Sequence, residues 1–239
     1  MSAIERIRRA VAARGPVGAL RAVAREVADR VSLSYAYARL FRGHRTFCAA
    51  GQRYRYLVRR YNSTWRSERT VEVPIVWDFV AKAPAAARIL EVGNVLSHYF
   101  PVTHTRVDKY ERGPGVINQD IVGYEERPFD LIVSISTLEH VGWDEEPRDP
   151  EKTIRAVERL HALTAPGGRL VITFPIAYNP HMDGSLRDGR ISFGRSICLK
   201  RVSRDNRWEE TSWDDAMAAR FDTPFRRINA VVIGVTDKP

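Results

Sequence analysis

The sequence is poor in cysteine. Cys48 and Cys198 are its only two, far apart and in no metal-like spacing, so neither a disulfide framework nor a structural zinc site is implied. It has no apolar run approaching the roughly 18 residues that a membrane span needs. Arg14, Arg21 and Arg25 interrupt every stretch near the N-terminus that could serve as the apolar core of a signal peptide, so secretion is not expected and a reducing cytoplasm is. No RNP, KH or zinc-knuckle signature is present, which makes nucleic acid an unexpected partner. Lysine is missing from the first 66 residues, and acids are almost missing.

What fills that first segment is arginine. Residues 1–66 hold 15 Arg against Glu5, Glu26 and Asp29, a formal +12, so the rest of a chain whose total is +9 carries −3. The basic balance belongs to one end and says little about the body. Ile4, Ile7, Val11, Val17, Leu20, Val23, Val27 and Val31 recur at helical spacing, with a break at Gly15-Pro16. That pattern predicts basic amphipathic helices. They suit packing against the body or another subunit, or attraction to an anionic membrane surface, a nucleic acid or an acidic partner. Residues 35–66 interleave Tyr, Phe and Trp with Arg, a mixture able to stack bases or sugars, or to cap a site.

At 239 residues and 44% hydrophobic, the chain suits one α/β domain with an appendage. We expect residues 1–66 to form a helical extension and residues 67–239 the main domain. Within the latter, strands are predicted at 87–92, 103–108, 115–119, 129–134, 169–174 and 229–236. Helices are predicted at 74–83, 95–100 and 150–163. This alternation predicts a Rossmann-like, doubly wound, mostly parallel sheet ending in an antiparallel strand. Ligands bind such sheets beyond the carboxyl ends of the strands.

Those ends read ILEVGNVLSHY (89–99), Asp108, Asp120-Ile121, FDLIVSISTLEHVGW (129–143) and APGGRLVITFP (165–175). As an ordered set they resemble the class I S-adenosylmethionine (SAM)-dependent methyltransferases. The resemblance implies SAM as cofactor and Glu91, Gly93 and Asn94 in its turn. It implies Asp108 on the ribose with Lys109 beside it, Asp120 and Ile121 on adenine, and Ser136 lining the methyl-transfer space. The chain departs from the family's Gly-rich turn by placing Val95 and Ser97 where further glycines usually stand. Arg69 and Glu72 could offer counter-charges to the methionine end of the cofactor, or equally a salt bridge and an acid at a helix start.

Methyl transfer to an alcohol needs a base, and His140, directly after the fourth predicted body strand, is the candidate. Glu139 could orient it. Asp144, Glu145 and Glu146 form an acidic loop that is either simply exposed or able to take Mg²⁺. Residues 175–213 read as an acceptor lid in which Tyr178, Asn179, His181 and Trp208 suit a polyhydroxylated ligand, Tyr178 and Trp208 being equally suited to the core. The YNP and RDNRWEE stretches are similar to those of actinobacterial glycan-modifying methyltransferases. That resemblance implies O-methylation of a sugar, such as a methylmannoside in polysaccharide biosynthesis. Phenol, amine and RNA-base acceptors remain open, as do a non-catalytic binding module and a homo-oligomer.

Overall fold

The computed structural model describes Val17 and residues 33–239. The helices expected over 4–31 otherwise lie outside the described residues. The extension proves only partly helical. Helix α1 (Leu33–Tyr37) runs into a π-helix (Ala38–Arg42), but β1 (Thr46–Ala49) and β2 (Gln52–Arg55) then form an antiparallel hairpin. Ala50 and Gly51 turn it with φ of 50° and 75°, the left-handed pair that matches the twist of a tight hairpin. Phe47 and Ala49 are buried while Thr46 and Cys48 are exposed, a two-residue period that the Arg-rich flanks mask.

The body is an eight-stranded sheet in the order β5-β4-β3-β6-β7-β10-β8-β9. Its strands are β3 (Ile89–Val92), β4 (Thr105–Val107), β5 (Val116–Ile117), β6 (Phe129–Ile135), β7 (Thr164–Pro175), β8 (Arg195–Arg201), β9 (Trp208–Thr211) and β10 (Ala230–Asp237). Strands β3 to β7 pair in parallel, whereas β10 lies antiparallel between β7 and β8. The expected α/β architecture and terminal antiparallel strand are therefore present. Alternate residues of the central strands enter opposite layers: Leu90 and Ile132 pack in one core, and Leu131, Val133 and Ile135 in the other. Helix α2 (Arg69–Lys82) supplies Val71, Ile75 and Val76 to the second layer, and α3 (Lys152–Leu163) supplies Val157 and Leu160 to the first.

Pro74 sits inside α2 and cannot donate to the carbonyl one turn back,. The freed Thr70 carbonyl instead accepts from the Leu57 N–H at 3.0 Å, and Thr70 Oγ1 donates to the Leu57 carbonyl at 3.0 Å. The extension is thereby tied to the start of α2, which carries Arg69 and Glu72.

Residues 175–213, expected as an acceptor lid, are largely regular structure. They form helix α4 (Pro180–Arg187) and then β8 and β9, which extend the sheet away from β6, with α5 (Trp213–Met217) following. Trp208 is correspondingly misplaced as an acceptor residue. It is 2% exposed on the outermost strand and packs in the second core layer, its indole N–H donating to Asn206 Oδ1 at 3.0 Å. Trp208→Phe should cost about 1–3 kcal/mol by leaving that acceptor unpaired. Denaturation would register the loss, and the KM for any acceptor should not change.

Candidate active site

The strand order reverses between β3 and β6: from β3 the chain proceeds outward to β4 and β5, and from β6 to β7 on the other side. The crevice outside the carboxyl ends of these strands is the natural ligand position. At its floor, Arg69 donates to the Ile135 carbonyl (2.5 Å) and the Ser136 carbonyl (3.0 Å), binding α2 to the end of β6. Ser136 has a φ of 39° and bends the chain sharply there. Its hydroxyl donates to Glu72 Oε1 (2.5 Å), as does Thr173 Oγ1 from β7 (2.7 Å). Glu72 is fully buried and its Oε2 has no partner. Burial pushes its carboxyl up to about 6, although Arg69 pulls the other way.

The turn after β3 is organised by Glu91. One carboxylate oxygen accepts the N–H groups of Val95 (2.8 Å) and Leu96 (2.7 Å), and the other meets His104 Nε2 at 2.8 Å. Both oxygens of Glu91 are thus consumed inside the protein, so this acid shapes the turn instead of presenting itself to a ligand. Gly93 has φ 87°, and a Cβ there would fall 2.2 Å from Thr137 Oγ1; only glycine lets the β3 and β6 ends approach this closely. Asn94 is also spoken for: its amide donates to Glu111 (2.7 Å), and its carbonyl accepts from Ser97 (2.6 Å) and Arg106 (3.2 Å). His98 joins the same Glu111 oxygen at 2.8 Å and stacks on Tyr61 of the extension at 3.8 Å. Asp108, half-buried after β4, accepts the Tyr110 and Glu111 N–H groups on Oδ1 and only the Asn94 N–H, at 3.2 Å, on Oδ2. Its Oδ2 keeps acceptor capacity.

Beyond β6 lies the expected base. His140 Nδ1 is 2.6 Å from Asp144 Oδ2, which also accepts from the Tyr178 hydroxyl at 2.7 Å, and the Tyr178 and His140 rings meet edge-on at 4.8 Å. A carboxylate at Nδ1 favours the tautomer with its proton there and leaves Nε2 as the acceptor. Nε2 stands 3.5 Å from Glu139 Oε1, longer than a hydrogen bond of good geometry. Glu139 is fully buried with Oε2 unpartnered, and burial pushes its carboxyl up to about 7 against the opposing pull of His140 and Arg69. Asn179 explains the YNP stretch. Its Oδ1 caps α4 by accepting from His181 and Met182, Pro180 takes the first helical position, and its Nδ2 donates to the Glu139 carbonyl at 2.9 Å,.

Lys109 and Lys152 both contact Asp120 (3.0 and 2.5 Å) and Glu145 (3.0 and 2.5 Å). Burial alone would raise both acids, but the hydrogen bonds from the two lysines outweigh it and hold them below the usual range. Asp120 Oδ1 accepts only the Val122 N–H at 3.2 Å, and Ile121 is buried in the core. Lys152→Ala should destabilise the protein by about 1–2 kcal/mol, since it leaves two partly buried carboxylates sharing Lys109 as their one remaining cation,; urea denaturation would measure it. The acidic loop diverges: Asp144 faces His140 and Tyr178, whereas Glu145 faces the lysines. Among the described residues no group of three or more His, Cys, Asp or Glu side chains could hold a metal ion.

The fold therefore gathers three small bonded sets at the end of β6: Arg69 with Ser136, His140 with Asp144 and Tyr178, and Asn179 with the Glu139 carbonyl. Gly93, Asn94 and Asp108 form a further group that touches the end of β6 through Thr137. Lys109 and Asp120 form another beside Asp108. His181 is exposed at the start of α4, and Trp208 lies elsewhere. His104, Glu111, Thr173 and Asp183 are additions. Asp183 is buried, accepts from the Ala177 N–H at 2.9 Å, and leaves Oδ1 unpartnered. None carries a motif; only the strand-end position of Thr173 hints at its role.

No family model matches the chain, and no curated protein does. Solved structures do overlap with it. N-methyltransferase NodS from Bradyrhizobium japonicum, bound to S-adenosyl-L-homocysteine, is 14% identical over 64% of this chain and 78% of its own, with a TM-score of 0.42. A SAM-dependent methyltransferase from Archaeoglobus fulgidus is 13% identical over 74% and 98%, with a TM-score of 0.43. The sugar N-methyltransferase KedS8 from Streptoalloteichus is 15% identical over 72% and 89%, with a TM-score of 0.37. Likeness at this level leaves cofactor and acceptor to be read from this chain's own residues.

Proposed function

We propose that the chain is a SAM-dependent O-methyltransferase acting on a hydroxyl of a sugar or glycan, with His140 as general base. The observation that carries this reading is the His140–Asp144 pair, 2.6 Å apart, at the carboxyl end of β6 beside the switch-point crevice. An imidazole oriented by a carboxylate and edged by a tyrosine ring is suited to taking a proton from a weakly acidic hydroxyl. When bound, SAM supplies an electrophilic methyl group to an in-line nucleophile. The residues present fit such a cofactor. Asp108 Oδ2 can accept from ribose hydroxyls, Asp120 Oδ1 from an exocyclic amine, and the unpartnered Oε2 of buried Glu72 would compensate an ammonium.

His140 Nε2 accepts the hydroxyl proton, Asp144 stabilises the resulting imidazolium through Nδ1, and Tyr178 holds Asp144 in place while offering its ring to a sugar face. The test is transfer from labelled SAM to a panel of sugars, phenols, amines and RNA. Transfer to a sugar hydroxyl is expected, and transfer confined to another class would overturn the acceptor assignment. One observation favours a second reading, a binding or assembly module. Asn94 bridges Ser97, Arg106 and Glu111 across the turn, and such a closed turn would exclude the cofactor.

A further inference from the structure

The segment α1 and the π-helix after it face the wrong way for a helix docked on a core. Tyr35 and Ala38 pack inward against Trp65 and Val58. Leu33, Tyr37, Leu40 and Phe41 share the outer side and are 89%, 50%, 66% and 60% exposed. Four large apolar side chains within nine residues make a stripe, and a contiguous exposed stripe marks an interaction surface where scattered residues would not.

The charge around the stripe says what it fits. Residues 33–67 contain eight Arg and no Lys, Asp or Glu. Arg39 is exposed between the apolar positions and Arg42 reaches over the Tyr37 ring at 5.5 Å, whereas Arg60 lies over the inward-facing Tyr35 and Arg45 pairs with Asp205 at 2.7 Å. Arginines along the margin of an apolar stripe match phosphate headgroups above an acyl layer, and the stripe matches the layer itself. A single-stranded nucleic acid fits less well. Base stacking wants free aromatic faces, yet Tyr37 and Phe41 lie against each other at 4.9 Å and the rest of the stripe is leucine. A second copy meeting the stripe across a two-fold axis would bring two arginine-rich faces together. No helix of the described residues is long and apolar enough to cross a membrane, so the segment would lie on the surface.

We infer that residues 33–42 form an anionic-membrane docking surface, with Leu33, Tyr37, Leu40 and Phe41 inserted and the flanking arginines on lipid phosphates. This inference does not depend on the acceptor of the enzyme. It is tested by flotation of the full chain with phosphatidylcholine vesicles containing about 30% phosphatidylglycerol, against phosphatidylcholine alone. The wild-type chain should float with the anionic vesicles only. Leu40→Ser/Phe41→Ser should weaken that partition about tenfold or more with an unchanged melting temperature, because both side chains are already exposed. Leu33→Ser/Leu40→Ser provides an independent variant with the same expected result. Absence of flotation, or equal flotation with neutral vesicles, would overturn the inference. So would undiminished binding by both variants, which would move the activity to residues 1–32. A dimer seen by sedimentation and lost in both variants, without flotation, would assign the stripe to a second copy instead.

Discussion

Replacing His140 by Ala is expected to lower the rate of methyl transfer to a hydroxyl acceptor by about 10²–10⁴-fold, the usual contribution of a positioned general base. The expectation follows from placement. His140 stands in the turn that ends β6, its Nδ1 is held 2.6 Å from Asp144, and Tyr178 shares that carboxylate. The imidazole side chain is 45% exposed, so its removal leaves no buried cavity and the fold should survive. Binding of S-adenosylhomocysteine should also survive, because the proposed cofactor contacts come from Asp108, Asp120 and Glu72. A fall in kcat with the cofactor Kd preserved is therefore the expected signature. Unchanged turnover would remove His140 from the reaction. Equal loss of turnover and cofactor binding would make it a structural residue. Asp144→Asn should reproduce part of the effect by releasing the ring from its favoured tautomer.

The second large effect concerns stability. Glu139→Gln should raise the stability of the protein above neutral pH, and the gain should shrink as the pH is lowered toward 5. Burial pushes the Glu139 carboxyl up to about 7 from an ordinary 4.5. Between those values the native state holds a proton that the unfolded chain has lost, so stability falls as pH rises through the window and levels off above it. The full penalty is on the order of 3 kcal/mol. Gln keeps the shape but buries an amide, so a net gain of roughly 1–2 kcal/mol is expected at pH 8. Glu72, pushed up to about 6, adds a smaller dependence of the same sign. Asp120 and Glu145 act oppositely. Their lowered values lend stability that is present above the ordinary carboxylate range and disappears as acid protonates the native pair. Thermal melts across about pH 3–8 would separate the two signs, and a difference between wild type and variant that does not change from about pH 5 to about pH 8 would contradict the account.

The parts of this architecture that could be read from sequence are those where one residue type dominates a short run. Within ILEV, FDLIV and RLVITF the runs LEV, LIV and LVITF are buried on both faces and announce central parallel strands,. The strands toward the β9 end of the sheet hide because their sequences are mixed. In RSICLKR charged residues equal the apolar ones and in WEET they outnumber them, so β8 and β9 read as an irregular insertion. The β1–β2 hairpin was obscured in the same way by Arg53 and Arg55. Strand-end positions were legible, as with Asp108 after β4 and His140 after β6. The Glu72–Ser136–Thr173 cluster was not, since its members are 64 and 101 residues apart and meet only because α2, β6 and β7 converge. Glu91 shows a different limit: its position in the motif was legible, but its consumption by Val95, Leu96 and His104 depends on the fold of the turn.

The central claim is that the switch-point crevice binds SAM through Asp108. Calorimetric titration of S-adenosylhomocysteine into the full chain and into Asp108→Ala tests it most directly. The account predicts saturable one-to-one binding by the wild type, weakened about tenfold or more in the variant, in keeping with loss of hydrogen bonds to a charged acceptor. No detectable heat from the wild type at millimolar ligand, or the same affinity in both proteins, would contradict it.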